Sequence, residues 1–187
     1  ADEADAIDAS GSDLEAQRAA VEQLAAAARE ATEAVISAER LEREAGYQWW
    51  GLTVGLKSFD DAWLSQGLAE YSAFSLRESK LDGAKLDAIR RELLEKSLTF
   101  EQTASLLRVP ANLDDQSVAY QYIMYAKGAF VYKLLRDTMG ADKFDQLLRN
   151  YLAEYRGKSA SIDDFEKLAS KVNGSDLRYF FARWVES

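Results

Sequence analysis

The chain has 187 residues, of which 48% are hydrophobic and 29% charged, and its net charge is −9. That length carries one domain with a real core, or at most two small ones, and the acidic balance argues against a nucleic-acid surface, which needs clustered Lys and Arg. With neither cysteine nor histidine, disulfides and thiolate metal sites are excluded, and the commonest metal ligand and general base is missing.

One proline and ten glycines in a chain rich in Ala, Leu, Glu, Lys and Arg point to helices. Residues 1–11 are small and acidic and read as a disordered tail. Ser12 with Glu15 forms a capping box. Apolar or small residues then recur at Leu14, Val21, Leu24, Ala28, Ala31, Val35 and Ala38, in steps of three, four and seven. This predicts a long Ala-rich helix over 12–38, whose seam resembles a helix-pairing stripe and leaves self-association open. The stripe shifts to Leu41, Ala45 and Trp49 before Gly51 stops it. "LTVGLKS" is a connector.

Ser58 and Asp61 cap a helix expected to run to about Glu78, and another follows over about 84–96. Residues 99–116, with Pro110, read as the longest irregular stretch. Helices follow over about 117–139, stopped by Gly140, and 141–155, stopped by Gly157. Ser161 and Asp164 cap a further one ending near Asn173, and "DLRYFFARWVE" carries the last. No stretch alternates at period two. The fold class is therefore all-α, six to eight helices around one core, with residues 12–187 as a single helical domain. No run of 18 apolar residues occurs, so no membrane span is expected. Compartment is left open, and because residue 1 is Ala the chain is expected to be processed or a fragment.

Five segments stand in a recognisable order: "EAGYQWWG", "DDAWLSQGLAEY", "VAYQYIMYAKGAFVYKLLRD", "YLAEYRGKSASIDDF" and "LRYFFARWV". Residues 40–187 thereby resemble the C-terminal helical part of the thermolysin-like catalytic domain of M1-family zinc aminopeptidases. In that family a His-Glu-x-x-His helix ends in Gln-Trp-Trp/Phe-Gly, and a Trp-Leu-Asn-Glu-Gly-x-Ala-x-Tyr helix supplies the third ligand. Eighteen residues separate Tyr47 from Gln66, which is the family's spacing between second and third ligands.

The resemblance puts Arg43, Tyr47 and Gln66 at the three zinc positions, Glu44 at the general base and Tyr125 at the transition-state tyrosine. Residues 43 and 47 share one helix face. Zinc takes imidazole nitrogen, thiolate or carboxylate oxygen, whereas a guanidinium has no lone pair, a phenol with a pKa of about 10 stays protonated and Gln66 offers a neutral amide oxygen. No cofactor is therefore expected. The Gly-x-Met-Glu-Asn segment that holds the substrate amine in these enzymes is absent, and so is its sheet.

These residues suggest a non-catalytic protein-binding scaffold on a zinc aminopeptidase fold, a pseudoenzyme of engineered or designed origin rather than an enzyme. Its contact face would comprise Arg43, Tyr47, Gln66, Tyr120 and Tyr125, since Arg and Tyr are enriched at binding hot spots. A basic protein partner is favoured by the charge. The alternative is a fragment or degenerate member of the M1 family with a residual hydrolase role. Tyr47 and Gln66 are expected to bond each other, Arg43 to supply the charge lost with the zinc, and Trp49, Trp50 and Trp63 to lie in the core.

Overall fold

The computed structural model describes residues 2–100, 105–107, 113–114 and 117–186, with side chains from Arg18 onward. The chain divides into two units, Ala1–Leu41 and Glu42–Ser187. Helix α1 is Asp2–Trp50. In the first unit every side chain from Arg18 to Ala38 is exposed. The side chains of the acidic tail expected at 1–11, and most of the irregular stretch expected over 99–116, lie outside the described residues.

The second unit is all-α, as the composition and periodicities predict. It holds α2 (Ala62–Lys80), α3 (Gly83–Thr99), α4 (Val118–Tyr120), α5 (Gly128–Met139), α6 (Ala141–Tyr155), α7 (Ile162–Asn173) and α8 (Arg178–Phe181). The helix expected over 117–139 is not uniform: between α4 and α5 the backbone widens to a π-helical segment, Gln121–Lys127. A second π-helical segment, Ala182–Glu186, follows α8. One departure from the helical pattern is a parallel pair of two-residue strands, β1 (Gly55–Leu56) and β2 (Ser159–Ala160). They are too short to show any period-two alternation, which is why sequence periodicity passes over them.

Helix α2 is the centre of the core. Trp63, Leu64, Leu68 and Ala69 are buried along it, and Trp63 stacks on Tyr132 of α5 at 4.8 Å between ring centroids. Phe165 of α7 joins α5, α6 and the last helix, with ring contacts to Tyr132 (5.8 Å), Tyr151 (5.0 Å) and Phe181 (6.3 Å). Such edge-to-face aromatic pairs add to the apolar burial already gained. Trp50 is also buried, its indole N–H donating to Ser72 Oγ at 2.8 Å. Trp49, expected in the core, is instead 52% exposed, because adjacent helix positions point about 100° apart.

Two glycine contacts let other helices meet α2 backbone to backbone. A Cβ on Gly46 would lie 2.9 Å from Ala69 Cα, and one on Gly128 would lie 2.9 Å from Gly67 Cα. Real Cβ atoms do not come that close to backbone, so both crossings exist only because the side chain is a hydrogen.

The β1–β2 junction is tied by two serine–aspartate capping boxes, the first of which also binds the start of the second one's helix. Asp61 Oδ2 accepts from the backbone N–H and hydroxyl of Ser58, and its Oδ1 accepts from the Ile162 N–H at 2.8 Å, at the start of α7. Asp164 Oδ2 accepts from the Ser161 N–H and hydroxyl and pairs with Lys57 Nζ at 2.7 Å. The Lys57 hydrogen bond, followed by those from Ser161, lowers the Asp164 carboxyl from 3.8 to about 2. Both boxes match the caps expected from Ser58/Asp61 and Ser161/Asp164.

Two outcomes follow from these contacts. Gly128→Ala should destabilise the second unit by about 1–3 kcal/mol in urea unfolding followed by tryptophan fluorescence, the cost of overpacking a closed contact. Because the Asp164 pKa is lower folded than unfolded, its contribution is complete above about pH 4 and is lost as pH falls toward 2. Lys57→Met should therefore flatten the acid limb of the stability–pH curve between pH 4 and 2, which acid titration by circular dichroism would read.

Candidate functional site

The end of α1, the middle of α2 and the π-helical segment converge in the second unit, and they bring together the residues at the presumed ligand positions. Arg43 and Tyr47 lie on successive turns of α1, so they share a face. Gln66 and Glu70 do the same on α2, four residues apart. Because Gly46 admits the backbone of Ala69 at contact distance, these two faces close on each other without a gap.

The π-helical segment brings in the tyrosines. In an α-helix, Tyr120 and Tyr125 would point about 140° apart at 100° per residue. Hydrogen bonds of the i→i+5 kind bring residues five apart nearly into line, and the two rings meet edge to face with centroids 6.2 Å apart.

Arg43 is the hub. Its Nη1 donates to Glu70 Oε2 at 3.3 Å, and its guanidinium sits over the Tyr125 ring, 4.1 Å from the centroid. The other carboxylate oxygen of Glu70 accepts from Arg77 Nη2 at 3.0 Å, and Arg77 Nε lies 3.4 Å from Glu42 Oε2. Two carboxylates and two guanidiniums thus alternate along one line. The Arg43 and Glu70 side chains are 19% and 16% exposed, so the pairing is screened far less than a surface ion pair. Glu44, by contrast, is exposed.

The phenol of Tyr47 hydrogen-bonds Tyr125. Burial first, then that bond, push its pKa far above the usual phenol range, against a smaller opposing effect of Arg43. Gln66 Nε2 donates to the Tyr120 hydroxyl at 2.8 Å. The expected Tyr47–Gln66 bond is therefore replaced by two separate ones, Gln66 with Tyr120 at the end of α4 and Tyr47 with Tyr125 of the π-helical segment. Gln66 Oε1 and Arg43 Nε are buried and make no hydrogen bond among the described residues.

Sequence reasoning missed Glu42 and Arg77. A signal for Arg77 existed: it follows Glu70 by seven residues, two helical turns, and therefore lies on the same face. Glu42 had none, because a carboxylate next to Arg43 in sequence points away from it on an ideal helix and reaches the cluster only through Arg77.

The all-α architecture is the one that the sequence resemblance implies for this unit, the helical part of a metallopeptidase catalytic domain. The fold is similar to that of the M1 zinc metallopeptidase from Deinococcus radiodurans, solved as a mutant with a Tyr-Ser-Ala substrate, with a TM-score of 0.64 at 21% identity over 79% of this chain and 32% of that one. The Peptidase family M1 domain matches residues 17–184, and the chain belongs to that family. It is 28% identical over 145 residues to aminopeptidase A of Gloydius brevicauda, covering 74% of this chain and 15% of the relative. It is likewise 28% identical over 149 residues to the probable aminopeptidase 1 of Sulfurisphaera tokodaii, covering 76% of this chain and 19% of the relative. The chain thus spans less than a fifth of the length of these relatives.

These matches overturn the expectation of a non-catalytic, engineered protein-binding scaffold. The relatives are natural aminopeptidases, and no match points to a designed binder; the expectations of a pseudoenzyme and of a chain that is not an enzyme are corrected with it. Sequence reasoning went wrong by treating three replaced side chains as evidence about origin, which side-chain chemistry does not record.

Truncating the charge line has a defined outcome. Glu70→Gln leaves Arg43 and Arg77 facing each other without their shared carboxylate, and should cost roughly 2 kcal/mol of unfolding free energy, at the partly exposed end of what breaking a buried pair costs. Adding Arg43→Met should return part of that loss, and a double-mutant cycle by denaturant unfolding measures how much.

Proposed function

We propose that the chain is the helical part of a degenerate member of peptidase family M1, with its zinc-ligand positions replaced and a residual hydrolase role retained. The observation that carries this reading is the Arg43 guanidinium, fixed 4.1 Å over the Tyr125 ring by Glu70. It is a permanent positive charge at a position where the family resemblance expects a zinc ligand.

The residues at those positions do not fit a zinc ion. Arg43 has no lone pair to give, burial keeps the proton on Tyr47, and Gln66 contributes one neutral amide oxygen, which a dication does not accept as sole ligand. Among the described residues no three His, Cys, Asp or Glu side chains come together as a metal cluster needs.

Peptide hydrolysis with this set needs a base for the attacking water and a partner for the oxyanion. Glu44, exposed on α1 three residues before Tyr47, takes the proton from the attacking water and returns it to the leaving amine nitrogen as the C–N bond breaks. As the carbonyl oxygen gains negative charge, the Tyr125 hydroxyl donates to it and the nearby guanidinium of Arg43 compensates the charge, stabilisation aimed at the transition state. Without a metal to lower the pKa of the attacking water, the rate is slow. The aminopeptidase relatives supply the substrate class, a free amino-acid amide or peptide N-terminus.

The test is hydrolysis of a chromogenic amino-acid amide by the full chain, with zinc content measured on the same sample. Slow turnover that survives a chelator and falls roughly 100-fold in Glu44→Gln is the expected result, the lower end of a general base's contribution. Stoichiometric zinc, or inhibition by the chelator, would overturn the replaced-ligand reading. A rate equal to the uncatalysed background would overturn the hydrolase role.

A further inference from the structure

Tyr47 has no part in the hydrolytic step described above, yet its phenol is hydrogen-bonded to Tyr125, the tyrosine that meets the carbonyl oxygen in that step. A Cβ on Gly51 would lie 3.1 Å from Tyr47 Cδ1, and the Tyr47 carbonyl accepts from the N–H groups of Gly51 and Leu52 at 3.1 and 2.9 Å. Ring and backbone of Tyr47 are thus both seated at the end of α1. Tyr125 is held from three sides. Its hydroxyl meets Tyr47, its ring carries the Arg43 guanidinium 4.1 Å from the centroid, and the Tyr120 ring meets it edge to face at 6.2 Å. Tyr120 is itself fixed by Gln66 Nε2 at 2.8 Å.

A phenol has a single hydrogen to donate, so the direction of the Tyr47–Tyr125 bond decides what Tyr125 can do. With Tyr125 as donor, its hydrogen would be spent on Tyr47, and Tyr47's own hydrogen, withdrawn from water, would have no acceptor among the described residues. With Tyr47 as donor, its hydrogen is paired, as desolvated donors generally are, and the Tyr125 hydrogen stays free. The bond makes Tyr47 hold its proton more firmly, which is the sign expected of the donor. We infer that Tyr47 is a positioning residue for the hydrolysis proposed above, on which the inference rests: it donates to the Tyr125 oxygen and so leaves the Tyr125 hydrogen free for the substrate's carbonyl oxygen. No proton changes owner. As the carbonyl oxygen becomes an oxyanion and draws on the Tyr125 hydrogen, negative charge grows on the Tyr125 oxygen. The hydrogen bond from Tyr47 and the guanidinium over the ring both stabilise that charge.

Kinetics of amino-acid amide hydrolysis by the full chain test this. Tyr47→Phe keeps the ring and removes only the hydroxyl. It should lower kcat about tenfold with KM unchanged, less than the roughly 100-fold expected of Tyr125→Phe, which loses the direct donor. Because Tyr47 acts through Tyr125, adding Tyr47→Phe to Tyr125→Phe should cost less than about twofold more. A further tenfold loss in that background, or a rise in KM at constant kcat, overturns the inference. A second arm is independent of turnover. With tyrosine isotopically labelled at Cζ, Tyr47→Phe should shift the Tyr125 magnetic resonance signal more than that of any other tyrosine. A Tyr125 signal that stays in place overturns the inference while the hydrolysis reading stands. Turnover of the unmodified chain at the uncatalysed background overturns the hydrolysis reading and with it this role for Tyr47, and a shifted Tyr125 signal then leaves the hydrogen bond alone standing.

Discussion

Two hydrogens set the spacing of the second unit. At Gly46 and at Gly128 a neighbouring helix meets α2 with no side chain between the backbones, 2.9 Å being the distance at which an added Cβ would strike Ala69 or Gly67. Interaxial distances between helices are ordinarily fixed by the side chains at their contact. Here they are fixed by the absence of one. The short distance lets Arg43 on α1 reach Glu70 on α2, and lets the tyrosines of the π-helical segment reach both helices. Were the Gly46 crossing an ångström wider, the 3.3 Å hydrogen bond from Arg43 to Glu70 would be lost.

Polar groups inside this unit are organised by the same economy. Three carboxylates of this unit are shared. Glu70 gives one oxygen to each of two arginines, Asp61 gives one to its own serine box and one to the start of α7, and Asp164 serves Ser161 and Lys57. A buried carboxylate is tolerated when its lone pairs are used, and sharing lets few acids satisfy many donors. It also means that no single polar contact here is independent of its neighbours.

The helices, their caps and the ancestry were legible in the sequence because each rests on local chemistry or on long ordered motifs. Ser58 with Asp61 and Ser161 with Asp164 are capping boxes at fixed spacing, and Gly140 and Gly157 are stops that need no tertiary knowledge. The site was half legible. That Arg43, Tyr47 and Gln66 would converge follows from a spacing, but which of them would bond which depends on Tyr120 and Tyr125, and their direction is decided by a change of helical pitch that no residue pattern announces. Trp49 shows the same limit: its burial hinged on one helix position, and its neighbour Trp50 took the inward one. The inference of an engineered binder failed for a different reason, since it read history from composition.

The wide turn at Gln121–Lys127 has an evolutionary consequence. A π-helical turn carries one residue more than the α-turn it replaces, so loss of a single codon there would restore regular winding. Tyr120 and Tyr125 would then stand four residues apart, about 40° around the axis, so Tyr120 would keep facing Gln66 and the packing of Tyr132 and Leu135 would stay as it is. The wide turn therefore absorbs one residue between the two tyrosines without turning the aromatic wall away from Arg43 or disturbing the hydrophobic interior.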